Sequence, residues 1–535
     1  MTVRRWIGLG LAALTAALIA LAVPVAAAPQ GPNIVVDTTR EGNDGECNND
    51  CTLREAIGLA NSSTGSYVQV PPGVYRISSP LALQDDYVFG AQLGGGGFSS
   101  GARTTVIDAR GSGRAVAVSG TNNWLSGVTV TGGRADVGAG ALVPGGATLF
   151  LYNVIMTDNV ATAGGGAVAT AGGLSVFRSV LNGNRAGSGG GILVQDGGIA
   201  QVFNSTLSGN TATVAGGAIS SSDETTLLNA TVADNNAPTG GGVHWAGTVA
   251  TATFWNTILA GNAGGACGGA ISQRTGWEAN IVDDASCQLT GAEGTQTTDP
   301  RIGPLRNNRG PTDTHALLAG SPAINAGSAN LCSISSADQR GATAVGQCDI
   351  GAFEYNGVVP EPQLPDPVPG ETVNVALRSG TVKVKIAGSD EFFTLKDNQQ
   401  IPVSSTVDTT KGQITMVAAG RKQKAWFYDG VFKFGQTRGR KPLTTLSLTA
   451  KLACPKGNGA IAAAKKKRRL WGDGKGRFRT KGSFSSATVR GTKWLTEDRC
   501  NGTLTRVTKG TVTVRDFKRK RNVIVRAGQR YFAPR

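Results

Sequence analysis

Between residues 153 and 262 the chain repeats a short pattern of polar and apolar positions. Segments 153–159, 178–184, 204–210, 229–235 and 256–262 align without gaps, their starts separated by 25, 26, 25 and 27 residues. The third position is always β-branched (Ile155, Val180, Thr206, Thr231, Ile258), and the fourth is always apolar (Met156, Leu181, Leu207, Val232, Leu259). A glycine cluster follows each segment, beginning at Gly164, Gly189, Gly216, Gly240 and Gly264. Most clusters lead into a short apolar run such as Ile192-Leu193-Val194.

A fixed period with one residue type at each phase means that like side chains stack on like in successive coils. β-Branched residues favour a pleated environment, and glycines supply the positive φ that tight corners need. The recurring asparagines are placed to hydrogen-bond their own and neighbouring turns. A leucine-rich repeat has a similar period, but its leucine frame and a helical stripe in each unit are missing. The pattern therefore predicts an all-β protein, a right-handed parallel β-helix. Less regular coils precede it at 67–77, 105–109 and 124–133.

A solenoid must close its ends against edge pairing. Thr52-Leu53-Arg54-Glu55 is a capping box, and Leu53, Ala56, Ile57 and Ala60 give the apolar face of a short capping helix. At the other end, residues 357–370 form a proline-rich linker. Beyond it the period drops to two, as in 381–386, 511–514 and 523–525, which predicts a second, smaller β domain. The first residues carry a basic start (Arg4, Arg5), an apolar stretch over 7–25 and the small-residue exit Val25-Ala26-Ala27-Ala28. That is a signal peptide. Because Pro29 tolerates a cut directly before it poorly, cleavage is expected after Ala27. The expected organisation is signal peptide 1–27, N-terminal cap 28–61, β-helix 62–356 with a closing region 300–356, linker 357–370, and a basic β domain 371–535.

Charge divides along the same line. Residues 1–370 contain 16 Arg, no Lys and 26 acidic residues, a net of −10; residues 371–535 contain 36 Lys plus Arg and 10 acidic residues, a net of +26. Eight cysteines fit an oxidising compartment. They fall in close couples, Cys47 with Cys51, Cys267 with Cys287, Cys332 with Cys348 and Cys454 with Cys500, although sequence alone permits any of about 105 connectivities. Cys47 and Cys51 have the spacing of half a zinc site, but the chain has two histidines and no second pair near them. No metal site is expected.

Residues 47–57, reading CNNDCTLREAI, resemble the CSLREAI motif that opens a family of secreted β-helix proteins, with Thr52 in place of serine. Residues 321–327 (SPAINAG), 338–341 (DQRG) and 349–354 (DIGAFE) are similar to the closing region called choice-of-anchor type Q. The repeats between them resemble those of polymorphic outer-membrane proteins. The last domain is similar to the FecR-type β domain of sensor-regulator proteins at 401–408, 487–494 and 526–531, departing from it in the basic insertion 465–469. The resemblance implies an extracellular or surface-exposed protein and supplies no catalytic residues.

Many β-helices cleave polysaccharides, which needs a pair of carboxylates or a base with a cationic partner. Asp158 and Asp234 hold equivalent phases, but three coil steps put them roughly 14 Å apart, too far for a catalytic pair. Asp196 and Asp223 lie in other loops, and His244 beside Trp245 lies in a strand that turns one side chain inward and the other outward. Asp44, Glu46 and Asp50 offer oxygen ligands for calcium, but without the EF-hand spacing, and read as a solvated turn. No cofactor is expected.

The basic runs are Lys465, Lys466, Lys467, Arg468 and Arg469, then Lys518, Arg519, Lys520 and Arg521. Such charge density attracts an anionic cell-envelope polymer, acidic polysaccharide or extracellular DNA in a salt-dependent way. Trp471, Phe478 and Trp494 interleave with these charges, either to stack on sugars or bases or to fill the core of the small domain. The sequence thus predicts a secreted or cell-surface, non-catalytic binding or adhesion protein. A carbohydrate-active enzyme and a FecR-like regulatory protein are the alternatives.

Overall fold

The computed structural model describes residues 33–535 apart from short stretches, of which 91–99 and 455–466 are the longest. The signal-peptide segment, Lys465 and Lys466 lie outside the described residues. Two compact units are present, with the main division between residues 361 and 362.

The first unit is a parallel β-helix built on three long sheets. Sheet I has ten strands from Asn33–Val35 to Gln273–Glu278, sheet II ten from Gly73–Arg76 to Gln296–Thr297, and sheet III eight from Leu81–Gln84 to Cys267–Gly269. Within each, every strand pairs with the equivalent strand of the next coil. In sheet II, Ile155 is in register with Val180, Val180 with Thr206, Thr206 with Thr231, and Thr231 with Ile258. The adjacent column Met156, Leu181, Leu207, Val232 and Leu259 is fully buried in the core. The stacked columns expected from the repeat are therefore present.

The corners explain the polar part of the repeat. Asn153, Arg178, Asn204, Asn229 and Asn256 all adopt left-handed backbone, with φ between 46° and 52°. A second left-handed residue, Asp158, Gly183, Gly209, Asp234 or Gly261, immediately precedes the last asparagine of each segment. Asparagine and aspartate tolerate that conformation better than other side-chain-bearing residues. The last asparagines, Asn159, Asn184, Asn210, Asn235 and Asn262, form a buried ladder in which each carboxamide N–H donates to the next carboxamide oxygen at 3.0 Å. Each glycine cluster turns another corner where a side chain has no room. At Gly216, φ is 68° and a Cβ would lie 2.4 Å from the carbonyl oxygen of Ile219.

Helix α1, Leu53–Asn61, covers the first coil. Thr52 Oγ1 accepts the Glu55 N–H at 3.2 Å while the Glu55 carboxylate accepts the Thr52 N–H at 2.8 Å. Leu53, Ala56, Ile57 and Ala60 then join Ile34, Val68 and Leu81 in the solenoid core.

Residues 302–356 fold back along the outside of the solenoid. Strand Ile302–Arg306 pairs antiparallel with Thr314–Leu317. Thr312 Oγ1 donates to the Arg178 carbonyl at 2.9 Å, and Arg103 pairs with Asp313 at 2.6 Å. The outward β-branched column of sheet II is what this segment covers: Thr206 Oγ1 donates to Gln339 Oε1 at 2.6 Å, the Ala352 N–H donates to Thr231 Oγ1 at 3.1 Å, and Ile258 packs with Ile350 and Phe353. Helix α2, Ala329–Cys332, places Leu331 on the outward row Tyr152, Phe177, Phe203 and Leu228 of sheet I.

The second unit is a barrel-like sheet of antiparallel strands, with one parallel pairing between Thr444–Leu448 and Phe478–Lys481. Burial alternates along its strands, and Phe427, Phe432, Phe434, Phe478, Trp494 and Val512 fill its own core. The eight cysteines pair as neighbours in sequence: Cys47–Cys51, Cys267–Cys287, Cys332–Cys348 and Cys454–Cys500.

Candidate polyanion-binding surface

The basic runs divide between structural and exposed roles. Lys467, Arg468 and Arg469 begin strand Lys467–Lys475. Arg468 points at Asp498, whose side chain is wholly buried; Nε and Nη2 lie 3.0 and 2.9 Å from Asp498 Oδ2, and Nη1 donates to the Ala450 carbonyl. Asp498 also accepts the Ser483 N–H and the Thr503 hydroxyl. A guanidinium held this way by a buried carboxylate braces two loops. Arg469 pairs with Asp429 at 2.5 Å near the surface, and Lys467 is exposed.

Lys518, Arg519 and Lys520 lie in the turn between strands Thr511–Asp516 and Arg521–Arg526. The buried Asp516 carboxylate accepts the Arg519 N–H at 2.8 Å and the Tyr531 hydroxyl at 2.8 Å. Although burial pushes against it, these hydrogen bonds and the Arg519 and Arg521 charges hold its pKa below the ordinary carboxylate value. Lys518 Nζ donates to the Arg535 carbonyl, and Lys520 stands exposed with φ of 52°. The two runs sit on non-adjacent strands of the sheet.

Of the three aromatic residues, Phe478 and Trp494 are fully buried, with Trp494 Nε1 donating to Thr480 Oγ1 at 2.9 Å. Trp471 is half-buried and stacks on Tyr428 at 6.1 Å. Two of the three belong to the core.

The solenoid carboxylates have local partners. Asp158 accepts the Thr157 hydroxyl at 3.2 Å, and Asp223 accepts the Ser222 hydroxyl at 2.7 Å. Asp196 sits at a turn with φ of 56°, and Asp44 accepts the Glu46 N–H at 2.9 Å in the loop before α1. Trp245 is buried against Phe254 and Trp277, while His244 faces outward, half-buried, with its pKa lowered by burial. The other histidine, His315, lies between Ser208 Oγ at 2.9 Å and the Gly303 carbonyl at 2.7 Å.

A cluster in the segment that covers sheet II joins residues that are far apart in the sequence. Asp338 pairs with Arg340 at 2.7 Å, both nearly buried, and Arg340 lies over the Phe353 ring at 3.6 Å. The Asp349 N–H donates to the Glu354 carboxylate at 3.2 Å, and Asp349 accepts the N–H groups of Asn325 and Tyr355. Burial, and then the neighbouring Asp349, raise the Glu354 pKa to about 8. These residues make up the DQRG and DIGAFE segments, which the fold uses to pin the chain back on itself.

The chain matches no protein-family model and no curated protein. The four disulfides fit an oxidising, extracellular setting. Among the described residues, no helix is long and apolar enough to cross a membrane. A parallel β-helix is an architecture compatible with both surface adhesion and action on polysaccharides.

Proposed function

We propose that the protein is exported and acts outside the cytoplasm as a non-catalytic binding or adhesion protein. In this reading the β-helix is a rigid display arm, and the basic β unit engages an anionic polymer of a cell envelope or matrix. The observation that carries it is the partition of charge: a net of +26 over residues 371–535 against −10 over residues 1–370. A segregated charge of that size raises the local concentration of polyanions and is screened by salt. The signal-peptide pattern, and the resemblance of the cap and closing region to secreted CSLREAI and choice-of-anchor proteins, support export. The resemblance of the last domain to FecR-type domains is confined to the stretches 401–408, 487–494 and 526–531 and adds no regulatory role to this reading.

Co-sedimentation with isolated cell walls tests this. The mature chain is expected in the pellet, and a 29–356 chain, which keeps the solenoid core, in the supernatant. Equal pelleting of both chains would remove the basic unit from the account.

A further inference from the structure

One face of the second unit carries an ordered array of cations that the sequence runs do not contain. Across adjacent strands, Thr406 lies opposite Lys433, Lys433 opposite Ser447, and Ser447 opposite Lys481. Lys481 then lies opposite Ser486, Ser486 opposite Arg515, and Arg515 opposite Asn522. Cation and hydroxyl alternate along this row, and no carboxylate stands in it. Beside it runs a second row, Thr445, Arg479, Thr488 and Thr513. The neighbours on the opposite side of these strands, including Phe432, Leu446, Ala487 and Val514, are buried in the core, so both rows face outward.

These cations are available to a ligand. Lys433, Lys481, Arg479 and Arg515 have no ion-pair partner among the described residues, whereas Arg468, Arg469 and Arg519 do. Arg479 Nε instead donates to Thr488 Oγ1 at 3.1 Å. Around Arg479, Ser486, Arg515 and Asn522 the face forms a depression of about 980 Å3.

Spacing selects the ligand. Neighbouring strands lie about 4.8 Å apart, so cations on alternate strands recur about every 9.6 Å. That is close to the length of two sugar rings in an extended glycan. The Ser447 and Ser486 hydroxyls between the cations, and the Asn522 carboxamide at the end of the row, suit sugar hydroxyls. Single-stranded nucleic acid places a phosphate on every nucleotide and binds through successive stacked aromatic rings. Among the described residues lining the depression, Phe517 is the one ring.

We infer that this face binds a linear acidic polysaccharide carrying one charged sugar in each disaccharide, with Lys433, Lys481 and Arg515 each meeting a successive carboxylate. The inference rests on the proposed function and names its ligand class and its site.

The test uses the mature full-length protein and fluorescent hyaluronan oligosaccharides at low salt, read by anisotropy. The variant K433Q/K481Q/R515Q is expected to lose at least tenfold in affinity and to show a shallower salt dependence. The charge-matched variant K411Q/K424Q/K509Q, at exposed positions outside both rows, is expected to change by less than threefold. Polygalacturonate, charged on every sugar, and oligo(dT) are expected to bind the wild type more weakly than hyaluronan. Unchanged thermal midpoints establish that both variants fold. Should the triple variant not fold, R515Q alone, at an exposed position, is expected to weaken binding about threefold. Equal losses in the two triple variants would overturn the assignment of the face while leaving a general polyanion binder. Tighter binding of oligo(dT) would overturn the ligand class. Failure of the wild type to bind any of these polymers while it still pellets with cell walls would overturn this inference alone, and failure in both experiments would overturn the proposed function as well.

Discussion

The Asn184 carboxamide N–H donates to the Asn210 carboxamide oxygen one coil away, at 3.0 Å, and both side chains are fully buried. Asn210 in turn donates to Asn235 and to the Leu181 carbonyl, while its oxygen also accepts the Asn184 main-chain N–H. Replacing Asn210 with alanine strands two donors of Asn184, its main-chain N–H and one carboxamide N–H, both buried away from water, whereas the Asn235 oxygen still accepts the main-chain N–H of residue 210. A buried polar group left unpaired costs about 1–3 kcal/mol. Urea unfolding of Asn210→Ala is therefore expected to show a loss of about 3 kcal/mol or more, against less than about 1 kcal/mol for the corner substitution Asp158→Asn.

Gln339 bridges the segment 302–356 to the solenoid. It accepts from Thr206 and donates to Thr312 Oγ1 at 2.8 Å and to the Asp313 carbonyl at 2.9 Å, with no exposure of its own. Gln339→Leu keeps the volume and removes all three bonds, for an expected cost of about 2–4 kcal/mol. Hydrogen exchange is expected to quicken in 302–356 and along the Thr206 strand before the rest of the solenoid responds.

Two glycines respond in opposite directions to alanine. Gly58 lies inside α1 with open space where a Cβ would stand, so Gly58→Ala is expected to stabilise by roughly 0.5–1 kcal/mol. Gly216 has positive φ and a carbonyl in the way, so Gly216→Ala is expected to destabilise by more than about 2 kcal/mol. Thermal melts of the two variants displaced in the same direction would contradict this.

Glu354 gives the covering segment a pH dependence. Its native pKa of about 8 lies above its ordinary value of 4.5, so between those values the native state keeps a proton that the unfolded chain has lost. Its contribution is present in full below the lower value and is lost as pH rises through the higher one. Urea midpoints are therefore expected to fall between about pH 5 and about pH 9, and to fall less in Glu354→Gln. An unchanged slope in that variant would assign the dependence to another group.

The repeat made the solenoid legible, because period, β-branched column and corner asparagines each have a single physical use in stacked coils. Its sides were harder to read. The column Ile155, Val180, Thr206, Thr231 and Ile258 has the composition of a core column yet points outward, and residues distant in sequence, among them Gln339 and Ile350, bury it. Nothing local records that long-range cover. The basic surface was obscured for a similar reason. Runs of adjacent charges draw the eye, but alternate residues of a strand face opposite sides, and Arg468 is held by a buried carboxylate. Lys433, Lys481 and Arg515 are scattered in sequence and align only through strand register.

In the proposed function the basic unit attaches the protein to a polyanion by electrostatics. The most direct measurement is the affinity of the mature full-length chain for isolated cell-wall polymer across a salt series. Log affinity is expected to fall linearly with log salt concentration, as when cations on the protein displace counterions from a polymer. Affinity that is independent of salt, or no binding at low salt, would contradict it.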